Sequence, residues 1–507
     1  HTPRRLSQAQ CPSMSMLRIF SLSLLLLAAS RLLGLVRDVV VATQFGLSGH
    51  ADAALVVLSF PDLAVSLLWG AAIPAVMVPR MAGRDTAHIA AEGARWSRLA
   101  ALLFILAGMI VWWGRLAIVH LLAPGLNAPE AALAAQTLGW SALVALPAGA
   151  VAMVGNAMLQ AQGRLQWQYT GQVVFNLGLI GGLIVAAQTG QFAWVAGGVV
   201  IAALARLLLM RRASRAALPA AAPGRTWPDA ASLHSLGLAL AASGLTVLYT
   251  LAARALMSDA GPGQLGVFQY AQRVGELPLH TVFAVASALA LARLSAAESQ
   301  GDSARAQLET RQWLRAMLWL SALIALAGMV AAPGVIRLLF GWGRMTAEAQ
   351  QQVTEAMRWI LLLLPLQAAQ LVLATRLNSH RRIADQVLGY GAGLAALALV
   401  GALLPVTSWR GLAAYGAAWG AATAVLWWRL ARHQADAQWR NAAVLLAALL
   451  VLAAAGAALR LMPLPWALDL ALAAVLLAAG VWALLRFDPL GRLVRDRYTS
   501  RRLRRAA

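Results

Sequence analysis

Residues 29–63 read ASRLLGLVRDVVVATQFGLSGHADAALVVLSFPDL. The stretch is mostly apolar, yet it holds Arg31, Arg37, Asp38, Asp52 and Asp62. It reads as two membrane helices joined by a tight loop over 46–50. The apolar run before Arg31, residues 17–30, is too short to span alone, because a bilayer core about 30 Å thick takes about 20 helical residues. Any span placed here therefore takes in Arg31. A charge inside a membrane helix costs roughly 2.5–3.5 kcal/mol on insertion scales, so such charges face a polar cavity or one another. At 3.6 residues per turn Arg31 and Arg37 stand about 120° apart. They converge on one cavity only through long side chains or a bend, and Gly34 between them is a candidate hinge. Arginine presents five donors in a planar fork that suits phosphate. The alternative is structural: pairing with Asp38 or Asp52, or snorkelling to the interface. The expectation is a cationic, water-filled chamber at bilayer depth that takes an anionic, lipid-linked ligand.

The rest of the chain supports a membrane setting. Of 507 residues, 61% are hydrophobic and only 12% charged, with mean hydropathy +0.69. A soluble domain carries about 25% charged residues. The deficit runs along the whole length, which indicates a polytopic membrane protein. All 41 basic residues are arginine, and the net charge is +22. Such a charge alone would suggest nucleic acid, but the arginines lie mainly in short loops between apolar runs, the pattern of positive-inside topology. The one cysteine, Cys11, excludes an intrachain disulfide and cysteine-rich metal sites. Residues 1–13 read as a non-native or upstream segment, with the start at Met14 or Met16.

Apolar runs separated by polar breaks number about fourteen. They lie near 17–43, 51–79, 97–122, 132–160, 167–188, 191–210, 234–257, 264–292, 311–339, 351–376, 384–404, 410–429, 441–460 and 465–486. Arginines gather after every second run, among them Arg80, Arg84, Arg164, Arg211, Arg212, Arg305, Arg381 and Arg432, with Arg344 the clearest exception on the other side. Both termini are therefore expected in the cytoplasm, which requires an even number of spans. A polar connection with Pro219, Pro223 and Pro228 divides the chain. The expected organisation is an N-lobe over 14–215, a cytoplasmic linker over 216–232, a C-lobe over 233–432, and a terminal helix pair with a basic tail over 433–507. The two openings look alike: an arginine-bearing helix (Arg31; Arg254), a glycine turn (46–49; 261–263), then a long helix broken by Pro61 or Pro278. A parallel repeat of this kind puts a substrate pathway between two lobes near mid-membrane.

The second polar signal is QYAQRVGELP over 269–278. Gly275 thins this helix and Pro278 breaks its backbone ladder, so the span bends here, as Pro61 bends the second span. Arg273 is a cavity cation on one reading; on the other it pairs with Glu276 one turn on. Asp38, Asp52, Asp62 and Glu276 are candidate cavity or gating acids, although Asp52, at a helix start, is also explained by the helix dipole. The eight histidines show no metal-ligand spacing. His280 reads as a packed polar residue. No GxxxxGK[ST] is present, so ATP hydrolysis in this chain is not expected, and the serines lack a recognisable base. Neither catalysis, a cofactor nor a metal is expected.

These residues carry a resemblance. SRLLGLVRD (30–38), Phe45-Gly46, Ala51-Asp52-Ala53 and Phe60-Pro61-Asp62-Leu63 resemble the opening signature of the MurJ/MviN family. QYAQR followed by Glu276-Leu277-Pro278 is similar to that family's signature in its eighth helix. The resemblance implies an all-α polytopic fold of two six-helix lobes plus a terminal helix pair, within a superfamily that includes MATE exporters. It implies a flippase moving lipid II, an undecaprenyl-pyrophosphate-linked peptidoglycan precursor, from the inner to the outer leaflet of the bacterial cytoplasmic membrane by alternating access. It implies that Arg31, Arg37 and Arg273 bind the pyrophosphate and that Asp52 is a functional acid. The implied partners are that glycan lipid, the bilayer and cell-wall synthesis enzymes; nucleic acid is not among them.

Two departures bear on the substrate. Where the family has a basic pair and then Glu-Gly-Ala, this chain has Val65-Ser66 and then Gly70-Ala71-Ala72. The seventh and eleventh runs also lack the acidic and Asn residues that form a sodium site in some members. A flippase for another polyprenyl-linked glycan, such as an exopolysaccharide or O-antigen precursor, is the alternative, with a MATE-like exporter behind it.

Overall fold

A computed structural model of the chain describes residues 13–65, 72–81, 84–162, 164, 166–215, 227–283, 286–287, 303–379, 383–432, 438–461 and 465–487. Every regular element among them is helical. In order they are α1 (Ser13–Phe45), α2 (Gly49–Val65), α3 (Ala72–Met81), α4 (Thr86–Leu122), α5 (Ala128–Ala161), α6 (Gln166–Thr189), α7 (Ala193–Arg215), α8 (Ala230–Ser258), α9 (Gln264–Gly275) and a π-helical turn (Leu279–Phe283). There follow α10 (Ser303–Phe340), α11 (Ala347–Leu362), α12 (Leu364–Ser379), α13 (Ile383–Leu403), α14 (Arg410–Ala431), α15 (Gln438–Leu461) and α16 (Trp466–Phe487).

These helices fall on the fourteen apolar runs, with α2 and α3 sharing the second run, and α11 and α12 the tenth. Among the described residues eight stretches are long and apolar enough to cross a bilayer. The outward faces show why a membrane is needed. On α4, Leu102, Leu106, Ile110 and Trp113 recur at helical spacing and are all exposed. On α15, Leu446, Leu450 and Val451 are exposed as well. A helix face of this kind is stable only against hydrocarbon. Lipid also leaves no water for backbone groups, so helices that satisfy their own backbone are the form a spanning segment takes.

Two compact units arise. One comprises His1–Val40, Val56–Ile118 and Ala132–Ser243; the other comprises Val41–Leu55, Val119–Ala131 and Gly244–Ala507. The chain thus passes from unit to unit inside α1, α2, α4, α5 and α8, and the ends of the first four that carry the first two expected external loops belong to the second unit.

In the first unit α6 and α7 pack closely. A side chain at Gly182 would run into Gly198, and one at Gly178 into Ala202. Small residues at such contacts let backbones approach, which is how helices associate when lipid removes the hydrophobic drive. Ala152, Leu159, Met210 and Ala213 form a buried cluster backed by Trp167. Buried Arg206 lies over the Phe175 ring at 5.7 Å, with its guanidinium 3.3 Å from Met153 Sδ. In the second unit α13 pairs with α14, and α12 lies against α10 and α14. The terminal helices α15 and α16 both pack on α10, where Ala327, Val330 and Ala473 form a small buried cluster.

Candidate functional site

The charged end of α1 lies in the first unit. Arg31 is exposed, whereas Arg37 and Asp38 are buried, with 6% and 0% of their surface accessible. Arg37 donates from Nε and a terminal nitrogen to Asp38 Oδ1 at 3.0 and 2.8 Å. Adjacent helix positions point about 100° apart, so this pair closes only because the arginine stem is long enough to curl back. Of the two readings for Arg37, the geometry shows the ion pair. Gly34 is buried and α1 is continuous through it. Nearby, Asn176 of α6 donates to the Ser30 and Gln172 carbonyls at 3.3 and 3.0 Å, fixing α6 to α1 beside Arg31.

Asp52 opens α2 in the second unit and is fully buried. Its carboxylate does not cap its own helix. Oδ2 accepts from the Gly263 amide at 2.7 Å and Oδ1 from the Gly266 amide at 2.8 Å. These amides belong to the start of α9, whose N-cap is Gly263 and has no side-chain cap. A helix N-terminus leaves amides without intrahelical partners and carries about half a positive charge, so a carboxylate placed there is doubly favoured. Gly263 adopts φ +85, a left-handed conformation, and a side chain on it would meet the Leu47 backbone at 2.9 Å. The turn between α1 and α2 thus lies directly on the start of α9. The same turn is held elsewhere too: the Arg344 amide donates to the Thr43 carbonyl at 3.0 Å. Pro61 is buried within α2, which continues to Val65; the Asp62 side chain lies outside the described residues.

Arg273 is half-buried near the end of α9. The α-helix stops at Gly275, is interrupted at Glu276, and is helical again at 277–278 before passing into the π turn. Proline lacks an amide, so the ladder has to reset there. A side chain at Gly275 would press on Ile360 of α11 at 3.0 Å. Glu276, at this break, is buried. Its Oε1 accepts from the Tyr415 hydroxyl and from Gln367 Nε2, both at 2.7 Å, and Oε2 lies 3.8 Å from His280 Nε2. Gln272 extends the chain by donating to Tyr415 at 3.0 Å and to Thr250 at 3.2 Å. Helices α8, α9, α12 and α14 therefore share one buried polar network around the α9 break.

The candidate residues thus form three settings. Arg31, Arg37 and Asp38 stand on α1 in the first unit, Asp52 stands on the α9 N-terminus, and Arg273 and Glu276 stand at the α9 break in the second unit. Sequence reasoning singled out the charged members and missed Gln272, Gln367, Tyr415 and the Gly263 and Gly266 amides. The signal for the side chains was available: Gln367 and Tyr415 are polar groups deep in apolar runs, where each needs a partner.

Comparison with known proteins places this geometry. The family model described as "Lipid II flippase MurJ" matches residues 41–476, most of the chain. A search of curated protein sequences gave no match. A solved structure titled "Lipid II flippase MurJ, inward closed conformation" aligns with TM-score 0.77 at 14% identity, covering 91% of this chain and 99% of that one. An inward-facing multidrug resistance MATE transporter aligns with TM-score 0.59 at 17% identity, covering 82% and 95% of the two chains. A transporter of the same superfamily from Pyrococcus furiosus, described as having a binding pocket of reversed polarity, aligns at 0.58 and 16%, covering 84% and 96%. At these identities the structures speak for the fold alone, while the family model spans two of the settings, that of Asp52 and that of Arg273 and Glu276: the chain belongs to the family of the lipid II flippase MurJ.

Proposed function

We propose that this chain flips lipid II across the bacterial inner membrane, with both termini in the cytoplasm and without covalent chemistry. Arg31, Arg37 and Arg273 are its pyrophosphate ligands. Moving two or more negative charges through hydrocarbon is prohibitive unless fixed donors replace their water. Guanidinium forks do that with charge-assisted hydrogen bonds, and Arg37 remains buried because Asp38 holds its charge in the absence of ligand. Alternating access needs contacts that make and break as access changes. The observation that carries this reading is the Asp52 carboxylate seated on the α9 amides: residues from the second span tie down the eighth, by two hydrogen bonds that water can replace.

Complementation of a strain depleted of its lipid II flippase tests the proposal. Wild type is expected to restore growth and Arg31→Ala to fail at equal expression. Failure of the well-expressed wild type would overturn the lipid II reading. Equal rescue by both would remove Arg31 from the mechanism. A second reading, transport of another polyprenyl-linked glycan, draws on Val65-Ser66 standing where the family has a basic pair. It predicts no rescue and co-purification of a different polyprenyl glycan.

A further inference from the structure

The second unit contains a cavity of about 350 Å³ that the pyrophosphate reading does not use. This volume falls within the range of small-molecule sites, roughly 300–1,000 Å³. One wall is a stripe on α11: Glu348, Gln351, Gln352 and Glu355. Their spacing of three, one and three residues places all four on one helix face. The opposite face of the same helix, with Val353, Met357, Ile360 and Leu361, is buried. A polar stripe two turns long in an otherwise apolar bundle is stable where it meets water or a polar ligand.

The facing wall is aromatic. Trp409 is 40% exposed, so its ring is open to the cavity. Trp359 props it edge-on at 6.4 Å and is itself anchored by donating Nε1 to the Leu412 carbonyl at 2.9 Å. The Arg410 guanidinium beside Trp409 bonds Asp259 at 2.6 Å and the Gly401 carbonyl at 2.6 Å, which braces the surrounding loops. Gln264 at the start of α9 closes the cavity, 3.4 Å from Gln352. Val267 and Leu412 supply apolar contact.

This lining selects among ligands. It holds two carboxylates and no arginine, so it repels phosphate and is distinct from the pyrophosphate site. Three amides present donors and acceptors side by side, and the carboxylates accept from hydroxyl groups. A fixed aromatic face beside such groups matches a pyranose ring, which offers C–H groups on its face and hydroxyl and acetamido groups on its edge. The loops around the cavity, 259–263 and 404–409, are those expected on the external side. We propose that this cavity is a saccharide subsite that receives one sugar of the lipid-linked glycan near the outer face. The inference rests on the glycan-lipid reading above.

The test uses the full chain in lipid nanodiscs and saturation-transfer NMR with N,N′-diacetylchitobiose, a soluble disaccharide without phosphate or lipid. Transfer to the acetamido protons is expected. Trp409→Ala and Gln352→Leu should each weaken binding by about 3- to 10-fold, the loss of one ring contact or hydrogen bond. Arg31→Ala should leave it unchanged, and thermal melts confirm that each variant is folded. Absence of transfer to wild type, or equal transfer to folded Trp409→Ala and Gln352→Leu, would overturn the proposal. So would displacement of the sugar by tetraethylammonium at concentrations where sucrose does nothing, because the site would then be a cation pocket. Sugar binding without rescue of the flippase-depleted strain would refute the lipid II reading and leave this one standing; rescue without sugar binding would do the reverse.

Discussion

Replacing Asp52 by Asn separates the two hydrogen bonds at the α9 N-terminus. Both carboxylate oxygens are in use, Oδ2 on Gly263 and Oδ1 on Gly266, and the residue has no exposed surface. Asparagine keeps one oxygen and turns an NH2 group toward the other amide. One buried donor is then left without an acceptor, at about 1–3 kcal/mol. The attraction between carboxylate and helix terminus is lost too, at about 0.3–1 kcal/mol. Together the closed arrangement weakens by about 1.3–4 kcal/mol, roughly a 10- to 700-fold shift toward opening at 1.4 kcal/mol per tenfold. The shift is measurable by maleimide labelling of Ala51→Cys in a Cys11→Ser background, in detergent. Ala51 precedes Asp52 and is fully buried. When opening and closing are fast, its labelling rate follows the open population. Ala418→Cys, buried in α14, reports on global unfolding. A change below about 3-fold at position 51, less than about 0.7 kcal/mol, would refute the reasoning. An equal rise at both positions would do so too.

Asp38→Asn leaves the buried Arg37 guanidinium without its counter-charge and is expected to destabilise the protein by about 3–5 kcal/mol, the cost of removing one partner of a buried pair; thermal melts should place it well below the Arg37→Leu/Asp38→Leu double variant. Tyr415→Phe removes the hydroxyl that donates to Glu276 and accepts from Gln272. A loss of about 1–3 kcal/mol is expected from the thermal melt, with the α9 amides near Gln272 exchanging faster. Gly182→Val forces α6 from α7 at Gly198. It should lower the yield of monodisperse protein in detergent, whereas Gly181→Ala, which has open space, should not.

The fold was legible because it is written in composition: apolar runs of bilayer length, separated by arginine-bearing loops, leave little choice of architecture. The site was legible only in part. The sequence marks Arg37, Asp38 and Asp52 as charges needing partners but leaves the partners open. For Arg37 the neighbour Asp38 stood among the alternatives, and the length of the arginine stem lets that pair close. For Asp52 the appeal to a helix terminus named the correct force and the wrong helix. The carboxylate sits at the start of α9, more than two hundred residues along the chain. Glu276 shows the same limit. Spacing offers Arg273 and His280 on its own helix, yet its hydrogen-bonded partners Gln367 and Tyr415 lie 91 and 139 positions away. Local periodicity carries no record of such pairings, which are set by packing.

Helix α9 begins with glycine and has no serine, threonine or aspartate of its own to hold its first turn. It borrows that group from Asp52. Its first turn is therefore conditional: when Asp52 withdraws, the Gly263 and Gly266 amides must find solvent or unwind. The length of this helix is thus under the control of a residue on another helix.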